Sequence, residues 1–315
     1  RRRSSVDAAG VDGCAPAPGC YGEGYTDAGE PDFVSAVEQP LSTLSADADT
    51  ASYANLRRLV RSGAGLGTID PGAVRIEEML NYFDYDYAAP AEGEDFALTA
   101  RAGACPWNAE SELVVLGLTV GQAATEAPPT SLVLLVDVSG SMGDAEKLPL
   151  LKESMVRIVK GLRAEDRVSI VTYSGVEEVV LKGASGDDAE AILGAINGLE
   201  AAGSTNGEAG LSMAYRVAEE THIEGGVNRI VMASDGDLNV GISSEEELNA
   251  FVSEKRGQGT YLSVLGFGSG NYQDAKMETL ADHGNGSYHY IDSADEAARV
   301  YERFLAAGAV PVADD

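Results

Sequence analysis

The chain has 315 residues, with 51 Asp or Glu against 22 Lys or Arg, a formal charge of −29. A surplus of that sign excludes nucleic acid as a partner, since phosphate recognition needs clustered Lys and Arg, and it repels anionic membrane surfaces. Hydrophobic residues make up 44%, enough for a sizeable core, and at ~100–200 residues per domain the length gives two domains or one with an extension.

Residues 1–32 are rich in Gly, Ala, Pro and acid and read as a flexible tether. The chain opens Arg1-Arg2-Arg3 without Met, which points to a start downstream of a removed or omitted segment. Cys14 and Cys20 lie in this stretch and could close a small loop outside the cytoplasm, leaving Cys105 free; spacing alone leaves the connectivity open. No C-x-x-C pair or Cys/His cluster suggests structural zinc. The longest apolar runs, such as 132–136, are far shorter than the ~20 residues of a membrane span, so no transmembrane segment is expected.

Residues 33–125 form a mixed α+β module. Helical spacing appears at 54–60 and 74–83, and strand patterns appear at 96–102 and 113–120 around the turn-like Cys105-Pro106-Trp107-Asn108. Ahead of the first helix, Asp47-Ala48-Asp49-Thr50 reads as a cap, with Asp49 or Thr50 holding the helix start. A phosphoryl-transfer D-x-D-x-[TV] motif would need Thr or Val where Ala51 stands. Residues 121–130 read as a linker.

A regular pattern then fills 126–307, and 308–315 would begin a linker or further region. Short apolar runs at 132–136, 168–173, 179–181, 229–233, 261–267 and 287–291 alternate mostly with amphipathic stretches. Leu148, Leu151, Met155, Val159 and Leu162 recur at helical spacing, with Lys152, Glu153, Arg157 and Lys160 turned away. The alternation implies an α/β fold, a Rossmann-like, doubly wound, mostly parallel sheet with helices on both faces. In such sheets ligands bind beyond the carboxyl ends of the strands.

Three polar turns stand at those ends. The run 132–136 stops at Asp137-Val138-Ser139-Gly140-Ser141-Met142, the run 229–233 stops at Ser234-Asp235-Gly236, and Gly203-Ser204-Thr205-Asn206-Gly207 opens a helix between them. Two carboxylates and three hydroxyls make an all-oxygen donor set, which suits a hard cation such as Mg²⁺. The order Asp137-x-Ser139-x-Ser141, then Thr205, then Asp235-Gly236 resembles the metal-ion-dependent adhesion site of von Willebrand factor type A domains. The resemblance implies direct metal ligation by Ser139 and Ser141, with Thr205 bound directly or through water and Asp137 and Asp235 acting mainly through water and the hydroxyls. It implies Mg²⁺ as the ion, with Mn²⁺ or Ca²⁺ as substitutes, and a partner protein presenting Asp or Glu.

The resemblance extends to 40–53, 74–85, Cys105-Pro106-Trp107-Asn108 and Lys147-Leu148-Pro149-Leu150-Leu151, which look like a bacterial subfamily of exported or surface-attached proteins. It implies an extracytoplasmic location and, commonly, a further C-terminal domain. On this reading the protein is a binding module and not an enzyme.

Other readings are weaker. A metal-dependent hydrolase using the same oxygens would need a base, yet neither Ser139 nor Ser141 sits in G-x-S-x-G, and His222, His283 and His289 read as surface or structural histidines. Asp235 to Glu246 imitates a calcium loop, but Val240 stands where that loop needs Gly. Gly266-Phe267-Gly268-Ser269-Gly270 lacks dinucleotide-binding spacing and reads as a tight turn. The abundance of carboxylates also raises an intramolecular alternative, in which an acidic residue of the N-terminal module occupies the metal's open position.

Overall fold

A computed structural model of the chain describes residues 22–26, 33–43, 48–121, 128–236 and 245–302. Cys14, Cys20 and residues 237–244 of the 235–246 stretch that imitates a calcium loop lie outside the described residues, as does 303–315.

Two sheets form. The smaller is an antiparallel pair, β1 (Phe96–Ala104) and β2 (Glu112–Val120), in register from Phe96 opposite Val120 to Ala104 opposite Glu112. The larger has six strands, β3 (Thr130–Asp137), β4 (Arg167–Tyr173), β5 (Glu177–Ser185), β6 (Val227–Ser234), β7 (Thr260–Phe267) and β8 (Asn285–Ile291), in the order β5-β4-β3-β6-β7-β8. All its neighbours are parallel except β4 and β5.

The large sheet is covered on both faces, which is why its strands read as near-continuous apolar runs. Alternate side chains serve alternate faces. Val133, Leu135, Ile230, Met232, Leu262 and Val264 enter one core with α5 (Gly207–Glu220), α6 (Glu245–Arg256) and α7 (Asp274–His283). Leu132, Leu134, Val136, Val231, Ala233 and Leu265 enter the other with α3 (Leu148–Val159), α4 (Ala189–Asn197) and α8 (Ala294–Val300). Asp188, Asn206 and Ser293 cap α4, α5 and α8 through their side chains.

The N-terminal module divides between the two sheets. Its helices, α1 (Ala51–Arg61) and α2 (Ile76–Asn81), seal onto the large sheet, with Ala51 and Ala54 inside the α5–α7 core. Arg75 joins buried Glu78 to buried Asp274 at this seam, and Glu278 lies within 3.3 Å of the same guanidinium.

The expected cap of α1 takes a different form. Thr50 is the N-cap residue but makes no side-chain capping bond. Its hydroxyl lies 2.8 Å from His289 Nδ1, and its backbone N–H donates to the Tyr288 carbonyl. Asp49 Oδ1 accepts the Tyr288 N–H at 2.7 Å. These two residues satisfy the open edge of β8, while buried Glu78 meets the Ser52 N–H in the first turn of α1 at 2.6 Å.

Candidate functional site

The parallel register sets the carboxyl ends of β3, β4 and β6 side by side. Asp137 pairs with Tyr173 of β4, and Val136 pairs with Ala233 of β6, so Ser234 and Asp235 emerge beside Asp137. The third turn is drawn in by backbone bonds. Gly140 N–H donates to the Gly203 carbonyl at 3.0 Å, and Ala202 N–H donates to the Val138 carbonyl at 2.8 Å. Gly236, at φ +82, allows the chain to turn after Asp235; a Cβ there would meet the Gln273 backbone nitrogen at 2.9 Å.

Three of the five expected residues, Asp137, Ser139 and Ser141, form one hydrogen-bonded cluster, and a fourth, Asp235, lies beside it. Asp137, fully buried, accepts the Ser139 N–H at Oδ1 (2.8 Å) and the Ser234 hydroxyl at Oδ2 (3.1 Å). Ser139 Oγ and Ser141 Oγ lie 3.1 Å apart, and the Ser141 hydroxyl helps to hold the nearby Asp235 carboxyl low. Thr205, the fifth, is half-buried on the docked loop, two residues from Gly203 and next to the cap of α5. It is joined to the others through that loop's backbone.

The two carboxylates occupy opposite electrostatic settings. Burial pushes the Asp137 carboxyl above its ordinary range and nearby Asp235 adds to the shift, against the Ser139 and Ser234 hydrogen bonds. Burial acts upward on Asp235 as well, but the Asn271 hydrogen bond and the Lys147 ammonium outweigh it and hold that carboxyl low. Lys147 Nζ donates to Asp235 Oδ2 at 3.0 Å and Asn271 Nδ2 donates to the same oxygen at 3.0 Å.

Sequence reasoning missed Lys147, Asn271 and Ser234 as members of this cluster. Lys147 begins an amphipathic helix, where a lysine reads as solvent-facing. The glycine-rich turn 266–270, whose Gly268 lies against the lysine stem, is the one available signal.

This donor set fits a hard cation. Adjacent ligands of an octahedral ion bound at ~2.1 Å stand ~3 Å apart, and the two serine hydroxyls are separated by 3.1 Å. Among the described residues no three His, Cys, Asp or Glu side chains gather to hold a metal, so hydroxyls would be needed to complete a site here.

The three histidines stand in other settings. His289 is buried between Thr50 and Ser287, His283 contacts Ser253 Oγ, and exposed His222 follows the far end of α5. Glu23, from the N-terminal segment, directs both carboxylate oxygens to Arg58 and accepts the Gly270 N–H.

Comparison with known proteins gives a consistent assignment. The family model described as the von Willebrand factor type A domain matches residues 131–303, and a model described as von Willebrand factor matches residues 20–115. The uncharacterized protein YfbK of Escherichia coli (strain K12) is 41% identical over 286 residues, covering 88% of this chain and 49% of that protein. Inter-alpha-trypsin inhibitor heavy chain H3 of Homo sapiens is 31% identical over 174 residues, covering 52% of this chain and 19% of the relative. The chain thus spans about half the length of YfbK and about a fifth of the heavy chain. Among solved structures, a von Willebrand factor type A protein from Catenulispora acidiphila shares the fold, with a TM-score of 0.50, 18% identity, and coverage of 71% of this chain and 51% of that chain.

Proposed function

Because this chain belongs to the von Willebrand factor type A domain family, whose members often bind metal and mediate protein interactions, we propose that its strand-end cluster is a metal-ion-dependent adhesion site. Ser139 and Ser141 would hold Mg²⁺ through their hydroxyls, with Mn²⁺ or Ca²⁺ as substitutes. Thr205 would join directly or through water, and Asp137 and Asp235 would act from behind by orienting those hydroxyls. When bound, the ion supplies a positive centre for an Asp or Glu carboxylate of a partner protein. The 3.1 Å separation of the two serine hydroxyls carries this reading.

The chain's own residues account for the selectivity. Neutral hydroxyls neutralise little of a cation's charge, so a site built on them retains its attraction for an incoming anion. Three direct carboxylates would bind the cation more tightly and attract an anion less. Burial of Asp137 behind Ser139 fixes the backbone from which both serines project, because the Asp137 carboxylate accepts the Ser139 N–H.

We also propose an extracytoplasmic location, supported by the sequence resemblance to exported and surface-attached proteins. Among the described residues no helix is long and apolar enough to cross a membrane.

Calorimetric Mg²⁺ titration tests the site. The wild-type chain should bind one ion, and Ser139→Ala and Asp137→Ala should abolish the heat while circular dichroism stays native. Unchanged Mg²⁺ affinity in either folded variant contradicts the assignment.

A further inference from the structure

Lys147 is only 3% exposed, immediately before α3. Burying an ammonium is costly unless it is closely paired, and this chain builds a seat for it. Gly268, at φ +79, lies against the lysine stem; a Cβ there would meet Lys147 Cε at 2.3 Å and Cγ at 2.5 Å. Any other residue at 268 would collide with the stem. At its tip the ammonium donates to Asp235 Oδ2 at 3.0 Å and to Asn271 Oδ1 at 2.8 Å, while Asn271 Nδ2 donates to the same Asp235 oxygen. Three side chains close a triangle on one carboxylate oxygen.

The loop that carries Asn271 is itself held from outside. Gly24 N–H donates to the Tyr272 carbonyl at 2.8 Å, Gly270 N–H donates to Glu23 Oε1 at 2.9 Å, and Gln273 Nε2 donates to the Gly22 carbonyl at 2.7 Å. A fixed loop, a glycine seat and a buried ammonium therefore converge on Asp235.

We infer that Lys147 is a positioning residue that neutralises Asp235, so that the cation at Ser139 and Ser141 is held less tightly and attracts a carboxylate ligand more strongly. The inference rests on the metal-site reading above. An Asp235 without its ammonium would present its full negative charge to the cation, and the cation's own charge would be correspondingly masked. Removing the lysine charge should therefore move two affinities in opposite directions. An ammonium facing a divalent cation ~6 Å away changes its binding by about tenfold even at the dielectric of water, and by more in a partly buried site. A lysine that merely packs would not produce opposite signs.

The test uses the full chain as wild type, Lys147→Met and Lys147→Gln, the glutamine preserving polarity should the methionine variant fail to fold. Calorimetry reads Mg²⁺ affinity, and water-proton relaxation of the Mn²⁺-loaded protein, titrated with acetate, reads carboxylate binding. The expected result is Mg²⁺ binding tighter by at least about tenfold in the neutral variants, with several-fold more acetate needed to displace metal-bound water. In EDTA both variants should also unfold at lower temperature than wild type, because Asp235 is left buried without its cation. Unchanged or weaker Mg²⁺ binding in a folded neutral variant overturns the role of Lys147 while leaving the metal site intact. Absence of Mg²⁺ binding by the wild type overturns the metal site itself, and the lysine inference with it.

Discussion

The two sheets dispose of their apolar residues in opposite ways. The six-stranded sheet is closed on both faces, and its central strands are buried almost end to end. The β1–β2 ribbon carries Phe96, Leu98, Val114, Leu116, Leu118 and Val120 on one face by strand alternation, and each is between 46% and 65% exposed. On its other face Tyr87 packs over Gly117. A two-stranded ribbon supplies too little surface to bury its own apolar face. Burial on both faces also determines where chemistry can sit: with the flanks filled by helices, the polar groups of the large sheet collect at its strand ends. The ribbon has no such end.

The contrast runs through the N-terminal module, whose helices share the core of the large sheet while its ribbon does not. Substitutions at the helical seam should therefore cost the whole protein, and substitutions on the ribbon's open face should cost almost nothing. Arg75→Met should be the most damaging, at about 3–5 kcal/mol in urea denaturation, because it leaves Glu78 and Asp274 buried without their shared cation. Leu135→Ala, in the centre of β3, should cost about 2–5 kcal/mol by the same measurement. A loss under 1 kcal/mol at either position would break the contrast from the buried side.

The seam should also respond to pH. Burial pushes the Glu278 carboxyl up to about 7, with Asp274, Glu78 and Asp282 reinforcing the shift and Arg75 opposing it. The folded state then binds more protons than the unfolded state between pH ~4.5 and 7, so this group's contribution to stability falls as pH rises through that window. Glu278→Gln should flatten the decline and raise stability at pH 7; an unchanged slope would show that the seam does not titrate as its geometry implies. The smallest effect belongs to the ribbon, where Leu116→Ala should stay within ~0.5 kcal/mol of wild type. A loss above 2 kcal/mol there would mean that the ribbon's apolar face is covered in solution.

Much of the large sheet was legible in the sequence because strands buried on both faces leave uninterrupted apolar runs, as at 132–136 and 261–267. The edge strand β5 was seen only as 179–181 within Glu177–Ser185, since its half-exposed residues dilute the signal. The strand-end residues Asp137, Ser139, Ser141 and Asp235 were legible from motif order, and the parallel register brings them together. Lys147 and Asn271 were not, because their partnership with Asp235 spans 88 and 36 residues and no local pattern encodes it. The roles of Asp49 and Thr50 were misjudged for a related reason: their partners, Tyr288 and His289, lie 239 residues away.

The central claim is that the hydroxyl cluster at the ends of β3 and β6 holds a divalent cation. Anomalous diffraction from crystals grown with Mn²⁺ tests it most directly. A single strong peak about 2 Å from both Ser139 Oγ and Ser141 Oγ is the predicted result. A Mn²⁺ peak elsewhere, with these two hydroxyls still bonded only to protein groups, would contradict it.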